Sequence, residues 1–327
     1  MEKHWKVLIT RDIPQVGVDI LKKHCEVDTN TEDIPLSKSE IIDKLRGKQA
    51  LCCIGTEMID DEIISSEPSL KVIANYAVGY NNIDVEVATK KGIMVTNTPG
   101  VLTEAVAEMS WCLLLCVARR VIEADSFVRA GNFKGGGPKL FLGAEVKGKT
   151  LGIIGAGRIG TEVAKKSQVF NMRVLYYDLV ENEEMKKIGG KRVELEYLLK
   201  ESDFISLHVP LTSKTRHLIG EKELDLMKKT AYLINTSRGA VIDEIALVKA
   251  LKEGKIAGAA LDVYENEPEI TEGLSDMKNV VLTPHIGSAT KEAREKMAIM
   301  MAENCIAALK GEIPPNLVNP EVLKKIA

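Results

Sequence analysis

Three side chains of complementary chemistry, Arg238, Glu267 and His285, each stand at or just past the carboxyl end of an apolar run. Arg238 follows AYLINTS, Glu267 follows a run ending at Tyr264, and His285 follows NVVLTP. If these runs are parallel strands, their carboxyl ends form the edge at which doubly wound sheets bind ligands. A cation, an acid and an imidazole at that edge can divide the reduction of a 2-keto acid. The guanidinium holds a carboxylate and polarises the carbonyl beside it, the imidazole supplies a proton, and the glutamate orients the imidazolium. Singly, each has a plainer reading: a surface cation after a turn, a helix-start acid before Pro268, a capped core histidine. Together at successive strand ends, they favour catalysis.

A second pattern points to the other reactant. Gly155-Ala156-Gly157-Arg158-Ile159-Gly160 follows the run Thr150–Ile154 and opens a helical stretch, 161–170. The first glycine allows a tight turn, the second a close backbone approach to a pyrophosphate, and the third close packing of helix on strand. The helix amino terminus offers N–H groups to the phosphates. A bare GxGxxG carries little weight. This one is followed by a second run, 173–177, that ends in Asp178, placed to accept both hydrogens of an adenine-ribose diol. Asp178 would repel a 2′-phosphate, and Leu179 and Val180 supply no cation for one, so the expected cofactor is NAD(H) rather than NADP.

Other reactive residues are read more plainly. His208, between apolar neighbours, is expected to be a packed histidine. Cys112 and Cys116 share a helical face in an apolar stretch and are expected in the core. Cys52 and Cys53 adjoin, with nothing nearby to activate a thiol. The five histidines form no HxxH or HExxH pair and the six cysteines no CxxC, so no metal site is expected.

The elements that must position these groups follow from alternation. Runs at 5–10, 49–54, 70–76 and 93–98 read as four strands, and six more read at 150–155, 173–178, 204–209, 231–236, 256–263 and 279–284. Amphipathic charged stretches separate them, the pattern of parallel sheets with helices on both faces. The expected fold class is α/β, with two doubly wound parallel-sheet domains: a Rossmann-type NAD domain and a flavodoxin-like substrate domain. A long apolar helix is expected over 103–129 and another over 289–309. Turn signals at Asn97-Thr98-Pro99-Gly100 and Pro284 place a discontinuous first domain at 1–99 and 288–327, and the dinucleotide domain at 100–287.

Composition excludes several classes. The 327 residues suffice for two cores, and a net charge of −3 with 28% charged residues offers no broad basic face to nucleic acid or lipid. The first residues, MEKHWKVLITRD, lack the apolar stretch of a secretory signal. The apolar run 109–118 is too short to cross a bilayer. A cytoplasmic protein with reduced thiols is expected.

The segments NTSRGAVIDEIALVKALKEGKIAGAALDVYENEP and NVVLTPHIGSAT carry the chain further. They resemble the signature segments of the D-isomer-specific 2-hydroxyacid dehydrogenases, nearest the glyoxylate/hydroxypyruvate reductase branch, and the likeness spans nearly the whole chain. It implies that Arg238, Glu267 and His285 are the catalytic arginine, glutamate and histidine. It implies that Asn75-Tyr76-Ala77-Val78-Gly79 is the substrate loop, with Asn75 among the substrate-binding residues and the Val78 and Gly79 N–H groups on the carboxylate. Cofactor-lining roles are implied for Thr103, Val209, Pro210, Thr215, Thr236, Ser237, Arg238, Asp262, His285 and Gly287, with Asp262 near the carboxamide. The segment near 103–145 resembles the arm through which such proteins form homodimers.

Neighbouring branches differ at readable positions. Formate dehydrogenases carry glutamine where Glu267 stands, and D-lactate dehydrogenases follow the histidine with aromatic residues, unlike Ile286-Gly287-Ser288. A tryptophan common in the arm loop of glyoxylate reductases is replaced here by Lys134-Gly135-Gly136-Gly137-Pro138. Two alternatives share the motifs. One is a phosphoglycerate-type dehydrogenase, although no regulatory domain follows. The other is an NAD-responsive binding scaffold like the C-terminal-binding-protein corepressors, whose flanking tails this chain lacks.

Overall fold

The computed structural model describes residues 5–32 and 34–326. It divides into two compact units, Met1–Leu102 with Ala289–Ala327, and Thr103–Ser288. The expected pair of doubly wound parallel sheets is what the chain forms.

The first unit holds β1 (Trp5–Ile9), β2 (Cys25–Thr29), β3 (Ala50–Ile54), β4 (Val72–Tyr76) and β5 (Met94–Thr96), in the order β2-β1-β3-β4-β5. All pairings are parallel, and this is the flavodoxin-like order. The β3 and β4 side chains are buried on both faces, so these strands read as continuous apolar runs. Leu8, Leu51, Cys53, Ile73 and Val95 pack with Ile41, Leu45, Ile63 and Ile64. The helix Lys291–Leu309 packs on β3 and β4 and crosses the helix Gln15–Lys22 at Gly17. A Cβ at Gly17 would lie 2.7 Å from the Ala298 carbonyl oxygen, so only glycine permits this crossing.

The second unit holds β6 (Thr150–Ile154), β7 (Arg173–Tyr177), β8 (Lys191–Arg192), β9 (Phe204–Leu207), β10 (Tyr232–Asn235), β11 (Gly258–Leu261) and β12 (Val280–Leu282). Their order is β12-β11-β10-β9-β6-β7-β8, the Rossmann order extended by one strand, again all parallel. Register lines up the last residues. Ile154 stands opposite Leu207, Leu207 opposite Asn235, Asn235 opposite Leu261, and Leu261 opposite Leu282. The loops that follow five strands therefore leave the sheet in one row, and the strand order switches sides between β6 and β9.

Four sequence expectations need correction. Strand β2 was not read, because Glu26 and Asp28 alternate with Cys25 and Val27 on a strand that pairs only with β1. Strand β8 was not read, being two exposed charged residues held by Leu175 and Tyr176. The helix expected over 103–129 is two helices, Thr103–Ala118 and Val121–Arg129. The Ala144 N–H takes the Ala118 carbonyl at 2.8 Å, the acceptor a continuing helix would use, and Arg120 turns left-handed at φ 54°. Finally, Cys112 is exposed and Cys116 only partly buried. The helix buries Ala107, Trp111, Leu114, Val117 and Ala118 against the sheet, which leaves the cysteine stripe facing outward.

Candidate active site

The glycine loop joins β6 to the helix Arg158–Lys166. Gly155 has φ +95°, and a Cβ there would lie 2.7–2.8 Å from the His208–Val209 peptide leaving β9. A Cβ at Gly160 would lie 2.0 Å from the Gly155 carbonyl. Gly157 is different: nothing stands within 4 Å of its Cβ position, and no side chain caps the helix. Two glycines thus close the turn, while the third leaves open the side from which a pyrophosphate can reach the N–H groups at Arg158 and Ile159. Asp178 follows β7, and its carboxylate accepts the Ala156 N–H at 2.7 Å and the Val180 N–H at 3.2 Å. That places a partly exposed anion beside the loop. Asn182, which no sequence motif marked, donates to the Ala156 carbonyl at 2.6 Å and the Thr161 hydroxyl at 3.0 Å. The cradle fits a dinucleotide.

The neighbouring strand ends supply more of this rim. Val209 and Pro210 follow β9, and the Thr215 hydroxyl donates to the Pro210 carbonyl at 2.6 Å, folding that loop back. Thr236 shares a 2.8 Å hydrogen bond with Ser110, and the Ser237 hydroxyl donates to Asn235 Oδ1 at 2.8 Å. Thr103 begins its helix. His208, just past β9, lies 2.8 Å from the Ser206 hydroxyl. Burial pushes its pKa down to about 3, so it stays neutral.

Arg238, Glu267 and His285 come from the loops after β10, β11 and β12. His285 Nδ1 donates to Glu267 Oε2 at 2.8 Å, and Glu267 Oε1 accepts the Tyr264 N–H at 3.0 Å. This pairing puts the Nδ1 hydrogen toward Glu267 and leaves Nε2 for the other side of the ring. Burial tends to raise the Glu267 carboxyl. The His285 hydrogen bond and charge, the Tyr264 N–H and the Arg238 charge outweigh it, and the carboxyl lies below its ordinary value. Desolvation pushes the Arg238 guanidinium down from its usual value, and the Glu267 charge works the other way. Arg238 Nη1 donates to the Ser237 carbonyl at 2.7 Å, and Asn235 donates to the Arg238 carbonyl at 2.9 Å.

Three residues that sequence reasoning missed, or assigned elsewhere, hold these loops. A Cβ at Gly239 would lie 1.8 Å from the Tyr264 carbonyl carbon. The backbone after Arg238 therefore rests directly on the backbone that leads to Glu267. Glu244, buried, accepts the Glu265 N–H at 2.8 Å and the Thr271 hydroxyl at 2.5 Å, pinning both sides of Glu267. Asp262, also buried, accepts the Thr283 hydroxyl at 2.6 Å and the Ile286 and Gly287 N–H groups at 2.8 and 2.7 Å. Its carbonyl takes the His285 N–H at 2.9 Å. His285 needs this support, because its φ of 54° is left-handed and strained for a residue with a Cβ.

In the first unit the loop after β4 carries Val78 and Gly79, partly exposed, whose N–H groups donate to no acceptor among the described residues. Asn75 corrects an expectation. It is fully buried, and its two amide hydrogens go to the Gly79 carbonyl and Asn82 Oδ1, so it supports the loop and has none for a substrate.

Among known families, the model described as the D-isomer specific 2-hydroxyacid dehydrogenase, NAD binding domain, matches residues 111–287. The chain belongs to the D-isomer specific 2-hydroxyacid dehydrogenase family. The glyoxylate reductase of Thermococcus litoralis is 56% identical to this dehydrogenase over 97% of its chain and 98% of the relative's. A Thermus thermophilus protein of known structure superposes with a TM-score of 0.90 at 43% identity, covering 96% of this chain and 99% of that one. A glyoxylate reductase from Paecilomyes thermophila gives 0.84 at 35% identity, covering 97% and 98%. Among the described residues no helix is long and apolar enough to cross a membrane.

The Glu267 shift sets a sign for stability. A carboxyl held below its ordinary 4.5 stabilises the fold fully above that pH, and the contribution is lost as pH falls through the lowered value. Glu267→Gln should therefore be less stable than the native dehydrogenase near neutral pH, with the gap narrowing below about pH 4.5. Urea midpoints across pH measure this. A gap that does not change on acidification would remove the ion pair from the account.

Proposed function

We propose that this dehydrogenase reduces small 2-keto acids, glyoxylate and hydroxypyruvate first, to the corresponding 2-hydroxy acids with NADH. The observation that carries the reading is the 2.8 Å pairing of His285 Nδ1 with Glu267 on the strand edge that also holds Arg238. Bound NADH supplies the hydride that reaches C2 of the substrate. His285 Nε2 gives its proton to the carbonyl oxygen as that oxygen gains charge. Glu267 keeps the ring oriented and balances the imidazolium, and Arg238 stabilises the developing oxyanion. The Val78 and Gly79 N–H groups are assigned to the substrate carboxylate. The high identity to proteins named glyoxylate reductase supports the choice of substrate.

Reduction assays with glyoxylate, hydroxypyruvate, pyruvate, phosphohydroxypyruvate and phenylpyruvate test this reading. Glyoxylate and hydroxypyruvate should lead. His285→Ala should lower kcat ~100-fold or more, as loss of a general acid does. Arg238→Ala should harm KM and kcat together. Faster turnover of phenylpyruvate than of both small acids would overturn the substrate assignment. An undiminished His285→Ala enzyme would overturn the proton donor.

For the cofactor, Asp178 is assigned to the ribose diol, where it would oppose a 2′-phosphate. NADH should have the higher kcat/KM, and Asp178→Ser combined with Leu179→Arg should weaken or reverse that order. A native preference for NADPH would refute the role of Asp178.

We assign the outward face near 103–145 to a second copy of the chain. The helix Val121–Arg129 buries none of its residues, and Val121, Ile122, Val128, Phe133 and Leu142 are all exposed. Exposed apolar side chains concentrated in one segment support an interaction surface there. Sedimentation should give a dimer, and Ile122→Glu with Val128→Glu should shift it toward monomer. A monomeric native protein would refute the assignment. No disulfide forms among the described residues, and we place the protein in the cytoplasm.

A further inference from the structure

The direction of the Val78 and Gly79 N–H groups is set by hydrogen bonds from Thr98 and Asn97. A peptide is planar and trans, so the carbonyl of one residue points opposite to the N–H of the next. The Thr98 N–H donates to the Ala77 carbonyl at 2.9 Å, which turns the Val78 N–H to the other side. The Asn97 side chain donates to the Val78 carbonyl at 2.8 Å, which does the same for the Gly79 N–H. Gly79 is the more mobile of the two by type, having no Cβ to restrict its backbone.

Asn97 is itself well fixed. Its N–H donates to the Asn316 carbonyl at 3.3 Å, and its carbonyl accepts from Asn304 Nδ2 at 3.1 Å. Asn304 is buried in the helix Lys291–Leu309. From the opposite side, a relay of buried amides holds the Gly79 carbonyl. Asn75 donates to it at 2.9 Å and to Asn82 Oδ1 at 3.3 Å, and Asn82 donates to the Ile54 and Glu57 carbonyls at 3.1 and 3.0 Å. The Gly79 peptide is thus held on both flanks by primary amides, while its N–H has no protein acceptor among the described residues.

We propose that Asn97 is a positioning residue for substrate, aiming the Gly79 N–H at the keto-acid carboxylate through the Val78 carbonyl. This rests on the reading of the chain as a keto-acid reductase whose loop binds the carboxylate. A donor aimed at a charged acceptor is worth more than a neutral hydrogen bond, and a misdirected one is lost to substrate binding. Asn97 has none of the proton-transfer or charge-stabilising roles proposed above. Its removal should act on substrate affinity rather than on the chemical step.

The test measures glyoxylate KM and kcat, with the NADH Kd from fluorescence titration, for the native protein, Asn97→Ala and Asn97→Asp. Expected for Asn97→Ala is a rise in KM of about tenfold or more, with smaller changes in kcat and in the NADH Kd. Asn97→Asp keeps the shape but sets an acceptor against the Val78 carbonyl, so it should be as impaired as alanine or worse. Asn82→Ala, which loosens the opposite flank, should move KM in the same direction and decides the matter if neither Asn97 variant folds. A native KM in the variants, or a loss confined to kcat, would overturn the proposal while leaving the reductase reading intact. A native protein that reduces no 2-keto acid would remove both.

Discussion

Asp262 carries the arrangement that the strand edge with Arg238, Glu267 and His285 depends on. Its carboxylate and carbonyl together receive one hydroxyl and three N–H groups from residues 283–287, and this grip holds His285 at a φ of 54°. Left-handed backbone in a residue with a Cβ costs of order 1–3 kcal/mol, and four hydrogen bonds to one buried aspartate are enough to offset it. The conformation turns the imidazole back across the edge toward Glu267. A relaxed loop would leave the ring pointing elsewhere, with its carboxylate partner unused.

The edge itself follows from register. Five strands end level, so the loops that hold the glycine cradle, the β9 turn, Arg238, Glu267 and His285 begin from one line. Gly239 then allows two of those loops to touch backbone to backbone, and Glu244 ties down the outer one. The sheet supplies alignment and the small or buried residues supply proximity. The reactive side chains need only extend.

Much of this was legible because it is written in short-range patterns. Apolar runs ending in a glycine cradle, an arginine, a glutamate or a histidine mark strand ends wherever strands are long and buried. The readings failed where tertiary contacts override the local pattern. Strand β2 has charged residues on an edge, β8 is two residues long, and the break at Arg120 depends on Ala144, far along the chain, taking a helix carbonyl. Cys112 looked like core because its neighbours are apolar, but only part of that helix meets the sheet. Asn75 was legible as part of a segment that resembles a substrate loop. That its amide points inward could not be read from spacing, since both of its partners, Gly79 and Asn82, lie outside any periodic element. Gly239 looked like any glycine after a strand until the Tyr264 backbone was seen lying against it.

The helix Lys291–Leu309 belongs to the unit that the chain begins, and the second unit is one continuous segment between the two parts. A ribosome therefore delivers the strands β3 and β4 long before the helix that covers them. The chain emerges at roughly 5–20 residues per second and domains fold as units during synthesis, so the later unit can finish first while the earlier one waits with an apolar face uncovered. The order of completion during synthesis runs opposite to the order of residues. Truncation ahead of Lys291 would leave the first unit, not the last, without its closing layer.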